Sequence, residues 1–291
     1  MMEKKHIVCF SGGHSSALVA IYCVDKFGKD NVILLNHDIK TGMEDDDIKR
    51  FKKEVADHLG LPITYANYKS IKNPDELPDQ FDVCMDNGTA ITSPTGHALC
   101  TAFLKTIPFE DFLSLNFPTS DSLFDKAVPC IIYYGFDKGE EVRMVRRSSH
   151  LGAIGYKADY PIALRELRIT DTNQIGIKKP NTYTLFKHAN CIGCLKAGLL
   201  HWYVTYCLRY DVYCKGIILE EHVAGDYTIH RITRDGLTVN ISLLELKPIF
   251  EQMQKDGVEA TEHQSDKKFG RLLRKYQIEA VNINKPCECV L

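Results

Sequence analysis

The residues of this chain that could do chemistry gather in a few short stretches. Near the N-terminus stands Ser11-Gly12-Gly13-His14-Ser15-Ser16. Two glycines let a backbone turn tightly and come close to an anion. The hydroxyls of Ser11, Ser15 and Ser16 can donate to phosphate oxygens, and His14 is either a further donor or an ordinary helix-start residue. Farther along, Cys191-Ile192-Gly193-Cys194 and Cys287-Glu288-Cys289 have chelate-like spacings. A C-x-x-C serves as a two-ligand clip for Zn2+ or an iron–sulfur cluster, and equally as a redox dithiol. Cys191, Cys194, Cys287 and Cys289 would together supply four thiolates, which suits tetrahedral Zn2+ or a [4Fe–4S] cluster. His188 and His201 flank the clip, as substitute ligands or as ordinary polar histidines. Arg143, Arg146 and Arg147 lie close together, either as a solvated face or, with Lys105, as a neutraliser of phosphate or sulfate charge.

These residues need elements to position them. Residues 6–10 (HIVCF) form a short apolar run and Ala17–Val24 fits a helix, so Ser11–Ser16 falls on a strand-to-helix turn. Unpaired N–H groups and the dipole at such a helix start favour an anion. Residues 32–36 (VILLN) read as a second buried strand. Asp38 follows it, at the edge of a sheet where ligands bind in open α/β folds. There it would contact a ligand or a bound Mg2+, or serve as a turn Asp. Asp45–Leu59 has helical spacing at Ile48, Phe51, Val55 and Leu59, Gly60 is its expected C-cap, and Leu61–Tyr65 restarts a strand. This alternation predicts an α/β fold with a parallel sheet and crossover helices.

The remainder is less regular. Residues 70–96 are rich in Asp, Asn, Pro and Gly and predict a long loop. Ala98–Leu115 predicts a helix with a break at Pro108, Val128–Tyr134 a strand, and Glu140–Arg147 a short basic helix or turn. Leu195–Cys214 predicts one long amphipathic helix carrying Trp202. Tyr227–Ser242 predicts a hairpin turning near Asp235-Gly236, and Ile249–Met253 sits in a helical piece. The tail from about residue 261 is polar. A soft boundary near 150–190 separates a nucleotide-binding unit, residues 1–185, from a smaller cysteine-bearing unit, residues 186–291.

Composition sets limits. Lys and Arg number 36 against 38 Asp and Glu, so no basic excess points to nonspecific nucleic-acid binding. No apolar run approaches the roughly 18 residues of a membrane helix, and Met1–Lys5 leads directly into a strand without a signal-peptide core. The expectation is a cytoplasmic protein with no membrane partner. The eleven cysteines are then not a disulfide framework. Cys9, Cys23, Cys130 and Cys207 sit singly in apolar runs as small core residues.

Phe10–Ser16 resembles the SGGxDS pyrophosphate loop of N-type ATP pyrophosphatases, and more closely the SGG-x-[ST]-S variant of the PAPS reductase family. Ser15 stands where the commoner pattern has Asp, and His14 where Lys is frequent. The loop therefore offers no carboxylate to a metal, while its backbone still offers N–H groups to phosphate. In chain order, His37–Glu44 is similar to the D/N-T-G segment, and Leu99–Pro108 to C-[CT]-x-x-L-K-x-x-P. Tyr134–Glu141 with the three arginines is similar to G-x-x-x-x-E-x-x-R, and Cys191–Cys194 to the C-x-x-C. The matches span roughly residues 6–215.

The resemblance implies a Rossmann-like, doubly wound parallel sheet of the adenine nucleotide alpha hydrolase-like type. It implies that ATP, or PAPS or APS, is bound by Ser11, Gly12, Gly13, His14, Ser15, Ser16, Asp38, Thr41, Gly42 and Arg143, with Mg2+. It implies roles in the reaction for Asp38, Lys105 and Arg146, and offers Cys100 as a rival fourth cluster ligand. The leading expectation is an enzyme that adenylates an unidentified acceptor, nucleic acid or small molecule. Pyrophosphate leaves, and sulfur or another nucleophile is transferred. A PAPS or APS reductase acting through Cys289 is the alternative, although Val290-Leu291 replaces the Gly of that family's E-C-G-x-H ending. A nucleotide-binding module without catalysis is the third. Homodimerisation is a base-rate expectation.

Overall fold

Apolar runs flanked by cap and turn residues build the first half of the chain. The computed structural model describes residues 4–92, 97–119, 128–189, 191–223, 225, 227–234 and 236–283. In it β1 (Lys5–Cys9) leads to α1 (His14–Phe27), β2 (Val32–Asn36), α2 (Asp46–Leu59) and β3 (Ile63–Tyr65). The Asp45 side chain accepts from Asp47 N to start α2, and Gly60 ends it in the left-handed conformation.

Residues 70–96 are not one long loop. Asp79 and Asp82 form a reciprocal capping box that starts α3 (Gln80–Asp86) and buries Phe81. The short strands β4 (Ile91–Thr92) and β5 (His97–Ala98) then pair antiparallel. Helix α4 (Leu99–Thr101) runs through a π-helical turn (Ala102–Thr106) into α5 (Ile107–Asn116). The expected break at Pro108 is absent. Proline sits in the first turn of α5, where its missing N–H costs little, and the irregularity precedes it as the π turn.

Next come β6 (Cys130–Tyr133), α6 (Glu141–Ala153), β7 (Lys157–Asp159) and α7 (Pro161–Leu164). The expected helix over 195–214 is two helices, α8 (Leu199–Leu208) and α9 (Tyr210–His222). Arg209 parts them: its guanidinium grips Asp211 at 2.8 and 2.9 Å and reaches Gly42 O at 2.8 Å, which holds its backbone out of the helix. The hairpin β8 (His230–Arg234) and β9 (Leu237–Ile241) follows, then α10 (Leu243–Lys255). The polar tail contains α11 (Asp266–Lys275), capped by Ser265 and anchored by buried Phe269 and Leu273, and the short β10 (Glu279–Ala280).

The main sheet is parallel and five-stranded, in the order β3-β2-β1-β6-β7. Successive side chains of a strand point to opposite faces. Val8 and Phe10 accordingly pack with Ala17 and Val19 of α1 and Phe51 and Val55 of α2. Ile7 and Cys9 pack with Phe109 and Leu113 of α5 and Leu151 of α6. Helices therefore cover both faces, which is why the central strands β1, β2 and β6 carry consecutive apolar residues. A third core joins Phe81 and Leu99 to Trp202, Tyr203, Tyr213, Phe250 and Phe269. Among the described residues no helix is long and apolar enough to cross a membrane.

Candidate functional site

The chain leaves β1, turns to one side for β2 and β3, and later returns to the other side of β1 for β6 and β7. Such a reversal opens a crevice beyond the carboxyl ends of the two diverging strands. A cavity of about 600 Å3 lies there, lined by Ser11, Gly13, His14, Ser15 and Ser16 from the β1–α1 turn. Its volume falls within the roughly 300–1,000 Å3 typical of ligand pockets.

The turn is built tightly. Gly12 has φ +86°, and a Cβ there would lie 2.7 Å from Ile48 Cγ2 and 2.8 Å from Lys52 Cγ. Only glycine lets the loop rest on α2 this closely. Lys52 is itself buried and bonds Glu44 Oε2 at 2.8 Å. Burial raises the Glu44 carboxyl's pKa, and the Lys52 ammonium opposes it. Gly13 is the N-cap of α1 and makes no side-chain cap bond. Ser16 Oγ instead donates back to Gly13 O at 2.8 Å. The helix start thus faces the cavity with a dipole that favours anions.

Gly135, just beyond β6, presses on the same turn. A Cβ there would stand 2.8 Å from the Ser15 carbonyl carbon and 2.9 Å from Ser16 N. The two diverging strand ends therefore share one wall. Tyr134, Phe136, Asp137, Glu140 and Arg143 continue it. The Arg143 guanidinium stacks over Phe136, 4.6 Å from the ring centroid, and pairs with Glu140. Lys105, from the π turn, also lines the cavity.

An outer wall comes from residues 179–189 and His263. Asn181 N donates to Asp47 Oδ2 at 2.6 Å, which ties this segment to α2. Tyr183 Oη accepts from His14 N at 3.1 Å, and His263 Nε2 meets Tyr183 O at 2.7 Å. Lys179 and Lys187 line the cavity as further cations, Lys179 being paired with Asp171 at 2.7 Å. His14 Nε2 accepts from Thr172 N at 3.3 Å, so its proton sits on Nδ1. Burial, then Lys179, lowers the His14 pKa. Burial likewise lowers that of His188.

The cysteine turn is also over-determined. Ile192 N donates to Met43 O at 2.9 Å, Gln80 Nε2 donates to the carbonyls of Ile192 and Gly193, and Trp202 Nε1 donates to Cys194 O at 3.2 Å. Gly193 has φ +68°, with Val212 Cγ1 only 2.5 Å from where a Cβ would stand. Cys194 N donates to His201 Nε2 at 3.3 Å, while His201 Nδ1 bonds Glu262 Oε1 at 2.6 Å. These bonds use both nitrogens of His201 and hold it as a support for the turn. Cys191 lines the large cavity, and Cys100, Cys191 and Cys194 together line a narrow space of about 30 Å3 beside it. Among the described residues, no three His, Cys, Asp or Glu side chains converge as a metal site. Cys287 and Cys289 lie outside the described residues.

The expected site residues divide. Ser11 through Ser16, Lys105, Arg143 and Cys191 line or build the cavity; Gly12 acts from beneath. Asp38 does not line it. Asp38 borders the narrow cysteine space, its N bonds Asn67 Oδ1 at 2.8 Å, and its Oδ1 accepts from Ile39 N at 3.0 Å. Thr41 and Gly42 also lie off the cavity. Thr41 is exposed, and Gly42 O is held by Arg209. Arg146 is on the exposed face of α6, about a turn away from the cavity-lining Arg143. Asn36, His37, Tyr183, Lys187 and His263 complete the cavity without having been expected there. Asn36 ends β2 and His37 follows it, next to the apolar run that marks the strand in the sequence; the others arrive by long-range folding.

No protein-family model, curated protein or solved structure matches this chain.

Proposed function

We propose that the cavity binds an adenine nucleotide, that the sheet is of the adenine nucleotide alpha hydrolase-like type, and that the protein is an adenylating enzyme of the PP-loop kind. The observation that carries this reading is the α1 N-terminus, whose glycine N-cap has no side chain to cover it, opening from a forced Gly12 turn onto a cavity edged by Lys105, Arg143, Lys179 and Lys187. Backbone N–H groups and cations in one place suit polyphosphate. A bound triphosphate would rest its outer phosphates there. An acceptor oxygen attacks the α-phosphorus, the new P–O bond forms as the bond to the β-phosphate bridging oxygen breaks, and pyrophosphate leaves. The cations stabilise the charge that accumulates on pyrophosphate, and the loop holds the reacting groups in line. A second nucleophile, sulfur in the leading case, then displaces AMP from the acceptor.

Cys191 in the cavity wall supports thiol chemistry next to the nucleotide. The described cysteines do not by themselves make a metal site, so no step is assigned to Zn2+ or an iron–sulfur cluster, and none to Mg2+. The test is release of pyrophosphate from ATP by the purified chain supplied with candidate acceptors. Acceptor-dependent pyrophosphate supports the adenylating enzyme. Nucleotide binding with no pyrophosphate from any acceptor supports a binding module instead.

A further inference from the structure

Two side chains at the carboxyl end of β2 are almost completely buried and yet incompletely bonded. Asn36 is 2 % exposed and His37 is 4 % exposed, and both line the large cavity. Asn36 donates through Nδ2 to Phe10 O at 2.5 Å, which leaves its Oδ1 buried without a partner among the described residues. His37 Nδ1 bonds Ala66 O, and its Nε2 is likewise buried without a partner among the described residues. A carbonyl oxygen only accepts, so these bonds fix both orientations. The amide oxygen of Asn36 and the bare Nε2 of His37 are the atoms left over, and both are acceptors. Burial pushes the His37 pKa down to about 4, so at neutral pH the ring stays neutral and Nε2 remains a lone pair. Buried polar atoms are almost always paired. This edge of the cavity therefore calls for a ligand group that brings N–H protons.

Within the reading that the cavity holds a nucleotide, we propose that Asn36 and His37 select its base, accepting from the exocyclic amine of a 6-aminopurine. A purine without that amine leaves the acceptors buried and unpaired. A 6-oxo group would set a lone pair against lone pairs. The loop and cations hold phosphate whatever the base, so the choice of adenine rests on these two consecutive residues.

The test is calorimetric titration of the full chain with ATP and with purine riboside 5′-triphosphate, which differs only by lacking the 6-amino group. The expected result is weaker binding of the analogue by on the order of ten- to a hundredfold. In His37→Asn the amide can keep the bond to Ala66 O while the distal acceptor is lost, and the gap between the two nucleotides should shrink by about threefold or more. Equal binding of both by the unaltered protein overturns the proposal and leaves nucleotide binding standing. An undiminished gap in a folded His37→Asn protein also overturns it. Binding of neither triphosphate overturns the nucleotide reading, and this proposal with it. The comparison in the unaltered protein decides the matter even if the variant does not fold.

Discussion

Gly135 lies so close to Ser15 that a Cβ on the glycine would sit 2.8 Å from the Ser15 carbonyl carbon. The obstacle is backbone, which cannot swing aside as a side-chain tip can. Gly135→Ala should therefore push the β6 exit away from the α1 start. The expected outcome is a loss of about 1–3 kcal/mol of stability and weakened nucleotide binding. Gly152, inside α6 with nothing within 4 Å of its Cβ position, is the control. Gly152→Ala should be neutral or stabilising by roughly 0.5–1 kcal/mol. Urea unfolding of both variants checks the pair, and equal effects would contradict the packing argument.

The two glycines of the loop should separate. Gly12→Ala meets both a positive φ and Ile48 and Lys52, so it should destabilise the fold by about 2 kcal/mol or more. Gly13 has an ordinary extended backbone, and its nearest foreign atom is Tyr183 Oη at 3.4 Å. Gly13→Ala should keep the melting temperature close to that of the parent. A larger loss from Gly13→Ala than from Gly12→Ala would show that the loop is held in some other way.

Acid should destabilise this protein early. Burial lowers the pKa of His37 to about 4 and that of His230 to about 3, and lowers those of His6, His14 and His188 as well. Between these values and the ordinary 6.5, the unfolded chain binds more protons than the folded one. The contributions of His37 and His230 are then complete above about pH 6.5 and fall as pH drops toward 4, by about 1.4 kcal/mol per pH unit for each of these two, with His6, His14 and His188 acting in the same direction. Glu220, raised to about 7 by burial, works in the opposite direction between its ordinary 4.5 and 7. Glu44, whose pKa burial also raises, acts with Glu220, but these two carboxyls oppose five histidines, so the net slope should be positive. Urea midpoints that rise from pH 7 to pH 5 would contradict this balance.

Much of the sheet was legible because local rules agreed there. Residues 32–35 are apolar and emerge, with Asn36, as β2, and Asp45 and Gly60 cap α2 as their types require. Other elements left weak local signals. Strand β7 is three residues, Lys157-Ala158-Asp159, with no apolar alternation; pairing with β6 makes it a strand. Helix α3 hides its capping box in an Asp- and Pro-rich stretch that reads as loop. The break at Arg209 depends on Gly42 O, more than a hundred residues earlier in the chain. At the site, the Ser-Gly-Gly turn was plain from local chemistry. Tyr183, Lys187 and His263 were not, because only the fold brings them to it. Arg146 and Arg143 were indistinguishable until the face of α6 was known.

Cys191 and Cys194 should matter for whatever metal the whole chain carries. If Cys287 and Cys289 complete a cluster with them, Cys191→Ser with Cys194→Ser should abolish bound zinc or iron in anaerobically purified protein. Elemental analysis with a visible spectrum measures this. Metal content unchanged in the double variant would remove the pair from the ligand set.

The proposed function puts an adenine nucleotide in the cavity at the start of α1. Calorimetric titration of ATP into the parent protein and into Gly13→Val tests it most directly, with circular dichroism to establish that the variant is folded. Two methyl groups on this N-cap would add bulk to the cavity wall where the proposed function puts the phosphates. The expected result is saturable binding by the parent and none by the folded variant. Intact binding by folded Gly13→Val, or no binding by the parent, would contradict it.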